Sequence, residues 1–284
     1  MTLSSRLELE RTALKIRLGI IRAIKSNRGG HIGGSLDLAE MLAVVYSDFM
    51  RVRPDEPDWD QRDFMIFSKG HAGPALYSTL SLQGFFPGER LDNLNKPNSL
   101  LPGHCDRNHV PGVDATTGSL GQGLSLACGV ALAARLRGTD QRVFCVTGDG
   151  ESAEGQIWEA AQFAAHYKLG NLITFLDWNK KQIDGTNDEV LRLGDAVAKY
   201  KAFGWDAVCV KGDDVIAIQQ AVAEAVQKNG DKPTMIVLDT VKGNGLQCVA
   251  NLANNHCIGF PEAMQVEAEQ DFEAQAARLG MEVE

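Results

Sequence analysis

The chain is expected to fold as an α/β domain, a mostly parallel sheet with helices on both faces. Three observations predict this. Five short apolar runs, Phe64–Phe67, Arg142–Thr147, Leu172–Asp177, Ala207–Val210 and Thr234–Val241, have the length and composition of buried strands. Segments of helical periodicity separate the runs, and that alternation marks βαβ units. The 284 residues are 44% hydrophobic and 23% charged, enough to fill the core of one large domain.

The elements follow in order. Residues 5–27 place Leu7, Leu14, Leu18, Ile21 and Ile24 at helical spacing, an amphipathic helix that the glycines of 27–34 break. Ser35 is placed to cap a second helix running to Met50, with Met41 and Met50 as core fillers. Residues 51–63 are charged and proline-bearing, hence a loop. After the first strand come Ser68-Lys69-Gly70-His71 and a helix from about Pro74. Lys69 reads as an exposed loop lysine. Residues 84–118 are rich in Gly, Pro and Asn, and an irregular stretch of that length is usually functional or disordered. Further helices are expected over 121–137, 155–168, 195–203, 214–228 and from Pro261 to Leu279, the last with a solvated acidic face from Glu262 to Glu273. Trp158 reads as packing or interface, His166 as helix surface and His109 as loop.

Composition excludes several partners. A formal net charge of −9 argues against nucleic acid and anionic membranes, which need a basic surface. No apolar run approaches the ~18 residues of a membrane span. The first residues are polar and charged, with no signal peptide visible, and the six cysteines include no C-x-x-C pair. They read as free thiols of a cytoplasmic protein.

Ligands of open parallel sheets bind beyond the carboxyl ends of the strands, so the loops after Thr147, Asp177 and Val241 matter most. The first is Gly148-Asp149-Gly150. Its glycines let a ligand approach the backbone, and the Gly150 amide can donate to a phosphate. Asp149 is a hard oxygen ligand suited to Mg²⁺, which takes one or two protein oxygens together with phosphates and water. The next strand ends in Asp177-Trp178-Asn179-Lys180. Adjacent parallel strands would set Asn179 beside Asp149 and supply a second oxygen. A backbone carbonyl just beyond could supply a third.

A G-D-G followed about thirty residues later by an asparagine at the end of the next strand resembles the thiamine diphosphate motif. Four further segments narrow the family: Gly30-His31-Ile32-Gly33-Gly34, Ser68-Lys69-Gly70-His71, Leu101-Pro102-Gly103-His104, and Gly112 through Gly123. In order and spacing they resemble transketolase, from about residue 10 to about 260. The resemblance implies transfer of a two-carbon ketol group from a ketose to an aldose, with thiamine diphosphate and Mg²⁺ (or Ca²⁺ or Mn²⁺) as cofactors. It implies that His31, His71 and His104 line the substrate channel, and that His71 also touches the cofactor. Gly118, Ser119 and Leu120 would contact the cofactor by backbone, with Asp149, Gly150 and Asn179 at its diphosphate. Asp149, Asn179 and the carbonyl of Lys181 match the metal ligands. His256 matches a histidine near the diphosphate, although the family usually has His-Gly where this chain has His256-Cys257. Glu154 and Glu159 match subunit-interface carboxylates, Glu154 on a buried acidic path between active sites and close to the cofactor. Ketol transfer needs proton transfers at sugar hydroxyls near neutral pH, where histidine titrates.

The resemblance further implies a single diphosphate-binding domain over residues 1–284. The pyrimidine-binding domain, with the glutamate that activates the cofactor, is then expected on a partner chain in an α2β2 heterotetramer. The alternatives are the α subunit of a thiamine-dependent 2-oxo-acid dehydrogenase, deoxyxylulose-phosphate synthase and a non-catalytic paralogue. The SKGH and GHIGG segments argue against the first. Retention of Asp149, Asn179 and the histidines argues against the last.

Overall fold

A computed structural model describes residues 3–228 and 230–282. Its strands are β1 (Gly29–Gly30), β2 (Phe64–Phe67), β3 (Val143–Gly148), β4 (Leu172–Trp178), β5 (Asp206–Lys211), β6 (Thr234–Asp239) and β7 (Ile258–Gly259). The helices are α1 (Arg6–Ser26), α2 (Gly33–Leu36), α3 (Ala39–Val44), α4 (Gly73–Leu82), α5 (Gln122–Arg137), α6 (Gly155–His166), α7 (Asn187–Val190), α8 (Ala196–Ala202), α9 (Val215–Lys228), α10 (Gln247–Ala250) and α11 (Glu262–Leu279).

Five strands form one parallel sheet in the order β2-β3-β4-β6-β5. Side chains alternate across it as strand geometry requires. Met65, Phe67, Phe144, Val146, Ile173, Phe175, Ile236 and Leu238 join the core shared with α1, α3, α9 and α11. Ile66, Val143, Cys145, Leu172, Leu176, Met235 and Val237 join the opposite core with α5, α6 and α8. Both faces are therefore covered, which is why the strands read as continuous apolar runs. α1 begins at a capping box in which Ser5 and Glu8 satisfy each other's backbone amides.

Two segments differ from the sequence expectation. The helix expected from Ser35 to Met50 is three pieces: α2, α3 and a π-helical turn over Val45–Phe49. Ser35 is not a cap. Its hydroxyl donates to the His31 carbonyl at 2.6 Å, four residues back, so the helix has already begun at Gly33. The break falls at Asp37-Leu38, where the Asp37 carboxylate is engaged by distant loops instead of its own helix. Residues 84–118 contain one 3₁₀ helix, Gly88–Asn93, and are tacked to the core by Leu91, Leu94, Leu101, Cys105, Val110 and Val113.

β1 pairs antiparallel with β7, Gly29 opposite Gly259 and Gly30 opposite Ile258. Gly29 has φ +150°, and a Cβ there would lie 2.4 Å from the Ile258 carbonyl oxygen. The bridge thus demands glycine, and it brings the segment holding His31 against the segment holding His256. Among the described residues no helix is long and apolar enough to cross a membrane. All six cysteines are free.

Candidate active site

The register of the sheet sets the site. Gly148 on β3 lies opposite Asp177 on β4, so Asp149 and Asn179 emerge together at the carboxyl edge. The Asp149 amide bonds the Asp177 carbonyl at 3.1 Å. The Asp149 carboxylate accepts from the Gly150 amide at 2.7 Å, the Lys180 amide at 2.6 Å and Asn187 Nδ2 at 2.8 Å. Burial, reinforced by Asp177, pushes its pKa up to about 6 against those bonds. Asn179 donates Nδ2 to Asp177 at 2.8 Å and to Asp37 at 3.1 Å, and its Oδ1 accepts the Lys181 amide at 3.1 Å. The Asp149 carboxylate and the Asn179 amide therefore share one strand edge, with Lys181 bonded to Asn179 through its amide.

The four histidines singled out in the sequence converge beside this edge. The His31 ring lies 5.2 Å from His71, 5.4 Å from His104 and 5.2 Å from His256 between centroids. His71 and His256 are 4.8 Å apart. Burial, with His104 and Lys242 adding to it, lowers His31 to about 4. Burial and Lys242 lower His256 to about 3, and burial with Lys69 lowers His71 further. These three rings are neutral at pH 7. Lys242 Nζ sits 3.1 Å from His256 Nδ1. An ammonium only donates, so Nδ1 accepts and the neutral ring carries its hydrogen on Nε2. His166 and His109 stand apart, both exposed, the latter bonded to Asp106.

The remaining sequence candidates fall nearby. Gly118, Ser119 and Leu120 form the irregular approach to α5, and a Cβ on Gly118 would stand 3.4 Å from His104 Cδ2. A cavity of about 430 Å³ lies between Asn27, His31, Asn95, His104, Thr116 and Cys257. Glu154 and Glu159 are exposed on this chain at the start of α6. Trp158 stacks on Phe203 with centroids 5.6 Å apart, a packing role.

Lys69 corrects the sequence reading. It is 2% exposed, not a surface lysine, and its Nζ pairs with Asp177. The tight turn after β2 folds the side chain inward beneath the loop, where only a carboxylate can compensate its charge. Four further buried groups carry no clear local sequence pattern that marks them, apart from Lys242. Glu151 takes the Ser68 hydroxyl, the Gly121 amide at 2.8 Å and the Gly148 amide at 2.9 Å, and so staples three loops together. Asp37 accepts the Gly243 amide at 2.6 Å and the Asn244 amide at 3.2 Å. Lys242 donates to the Lys181 carbonyl at 3.1 Å, and Asn187 holds Asp149. Lys242 had a usable signal, since it follows the end of β6 in one of the three loops marked for attention.

Comparison with known proteins agrees with this geometry. The family model described as transketolase, thiamine diphosphate binding domain, matches residues 9–282. A 6-deoxy-6-sulfo-D-fructose transketolase subunit of Clostridium sp. is 43% identical over 271 residues, covering 95% of this chain and 98% of that one. An apulose-4-phosphate transketolase subunit of Phocaeicola vulgatus is 38% identical over 259 residues, 91% of each. A solved transketolase of Pichia stipitis in complex with fructose 6-phosphate superposes with a TM-score of 0.86 at 34% identity, covering 98% of this chain and 41% of that one. The chain spans about two fifths of the length of that solved transketolase and nearly all of the length of the two subunits. The chain belongs to the transketolase family, and it is that family's thiamine diphosphate-binding domain that its residues match.

Proposed function

We propose that the chain is the N-terminal, diphosphate-holding subunit of a two-subunit transketolase. The enzyme would transfer a two-carbon ketol group from a ketose or ketose phosphate to an aldose or aldose phosphate. The observation that carries this is the convergence of His31, His71, His104 and His256 beside the strand edge bearing Asp149 and Asn179. The two relatives of matching length are named as transketolase subunits, which supports a partner chain.

The residues fit the cofactor and a metal. Asp149, Asn179 and the Lys181 carbonyl are hard oxygens, the donor set of Mg²⁺, with Ca²⁺ or Mn²⁺ as substitutes. Asn187 Oδ1, beside Asp149, is buried without a partner. Among the described residues no three His, Cys, Asp or Glu form a metal cluster. Lys242, buried and close to the same carbonyl, would balance diphosphate charge. The backbone of Gly118, Ser119 and Leu120 would line the cofactor, along with Gly150.

Thiamine diphosphate, when bound, supplies a nucleophilic carbon that takes up the ketol unit. The chain's own work is positioning and proton handling. His31 and His104, on the wall of the 430 Å³ cavity, would hold donor hydroxyls in one pose. His256, with its hydrogen on Nε2, would donate at the reacting end, with His71 beside it. Rings held neutral in this way would donate and accept hydrogen bonds at the hydroxyls. Glu154 and Glu159 would meet the partner subunit, which would carry the pyrimidine-binding domain and complete an α2β2 assembly.

The test is turnover of a ketose donor and an aldose acceptor with thiamine diphosphate and Mg²⁺, with and without the partner subunit. Ketol transfer should require both chains. Substantial transfer by this chain alone overturns the two-subunit reading. Acyl transfer to a lipoyl carrier by the pair would replace ketol transfer by oxo-acid chemistry.

A further inference from the structure

Asp37 is fully buried, and its carboxylate joins three segments far apart in sequence. Oδ2 accepts Asn179 Nδ2, 142 positions away. Oδ1 accepts the amides of Gly243 and Asn244, over 200 positions away. The second loop is itself rigid. Gly243 has φ +89°, where a Cβ would meet Val249 at 2.9 Å. Arg17, paired to Glu40 at 2.6 Å on both oxygens, holds the Asn244 carbonyl at 3.2 Å. Asp37 is thus an acceptor on a fixed mount.

The Asn179 amide has two hydrogens on nitrogen and one oxygen. Both hydrogens are used, one by Asp37 and one by Asp177, which is itself neutralised by Lys69. A flipped amide would set its oxygen between two carboxylates, losing both bonds and adding repulsion. With Asp37 removed, one hydrogen is free and the flip meets a single carboxylate. A second carboxylate buried beside Asp177 is costly, and a helix break alone does not require it.

We propose that Asp37 is a positioning residue for the metal, holding the Asn179 amide so that its oxygen stays on the side of Lys181 and tying the Gly243-Asn244 loop to the metal loop. This rests on the reading of Asn179 as a metal ligand. Partners of metal ligands are typically worth about 10- to 100-fold in metal affinity.

The experiment titrates Mg²⁺ into the full chain at saturating thiamine diphosphate, by calorimetry and by intrinsic tryptophan fluorescence. Thermal midpoints without ligands are measured on the same variants. Asp37→Asn can still accept the Gly243 amide but turns a nitrogen toward the nitrogen of Asn179. It should raise the half-saturating Mg²⁺ concentration about 10- to 100-fold with a folded ligand-free protein. Conservative rescue is therefore not expected, whereas a purely structural role would be rescued. Should Asp37→Asn fail to fold, Asp37→Ser decides by the same criterion. Mg²⁺ affinity within twofold of the unaltered chain, alongside loss of affinity in Asn179→Ala, overturns the positioning role and leaves the site intact. Unchanged affinity in Asn179→Ala overturns the site assignment itself.

Discussion

Buried carboxylates occur at both ends of the sheet, and they are satisfied differently. At the amino ends, Asp63 accepts from Arg51 Nη2 at 2.8 Å, Arg51 Nε at 3.2 Å and the Arg51 and Arg142 amides. Asp114 pairs with Arg62 at 2.5 Å and takes the Met65 amide. A guanidinium fork closes Asp63, and a single Arg62 nitrogen meets Asp114. At the carboxyl ends, Asp37 and Asp149 are held by backbone and side-chain amides, and neutral histidines stand alongside. Five of the nine buried polar atoms without partners among the described residues lie here, on Asp177, Asn187, Thr240, Asn244 and Asn255. The carboxylates at the amino end are held by cations. The other end keeps polar capacity that suits a polar ligand.

The strongest loss is expected at the amino end. Asp63→Ala takes an acceptor from Arg51, which keeps Asp140, and from the Arg51 and Arg142 amides, and should cost about 3 kcal/mol in denaturant unfolding, without weakening cofactor binding in the folded fraction. A comparable loss of cofactor affinity would erase the division between the ends. Next, His104→Ala should lower turnover of the reconstituted enzyme about 100-fold while its thermal midpoint stays put. An unchanged rate would remove this ring from the site.

A smaller effect is pH-dependent. His31 is held at about 4, below its ordinary 6.5, so between those values the unfolded chain binds a proton that the folded chain refuses. Its contribution to stability is fully present above pH 6.5 and is lost as pH falls toward 4. Asp149 and Asp114, both raised to about 6, act in the opposite sense below pH 6. The difference between His31→Asn and the unaltered chain isolates the histidine. Urea midpoints should move in favour of the variant as pH drops from 6.5 to 4, and a pH-independent difference would contradict the assignment. The smallest effect is His166→Ala, on an exposed face away from the site, expected within about 0.5 kcal/mol and without change in turnover.

What could be read in the sequence follows from locality. β3 and β4 are contiguous runs, and the pairing of Asp149 with Asn179 needs only that they be parallel neighbours. The histidines stood out because each sits in a glycine-flanked loop of one recognisable family. Burial of Lys69 is not legible locally, because it depends on Asp177, 108 residues later. Ser35 looked like a cap because its local pattern fits one, while the helix actually starts where Gly33 meets the Asn255 carbonyl at 3.2 Å. Asp37 did carry a faint signal, a charge inside the apolar run Leu36-Asp37-Leu38-Ala39. Its meaning needs Gly243 and Asn179, and no local pattern names either. Glu151 is similar, adjacent to the metal motif yet defined by Ser68 and Gly121.

In the proposed reading Asp149 would hold a divalent metal, and with it the diphosphate, at the carboxyl end of the sheet. Calorimetric titration of thiamine diphosphate into the full chain, with and without Mg²⁺, tests it on the unaltered protein and on Asp149→Asn. Binding should require Mg²⁺ and fall at least about 100-fold in the variant, whose ligand-free stability should hold because a buried charge has been removed. Equal binding by both proteins, or binding indifferent to Mg²⁺, would contradict the account.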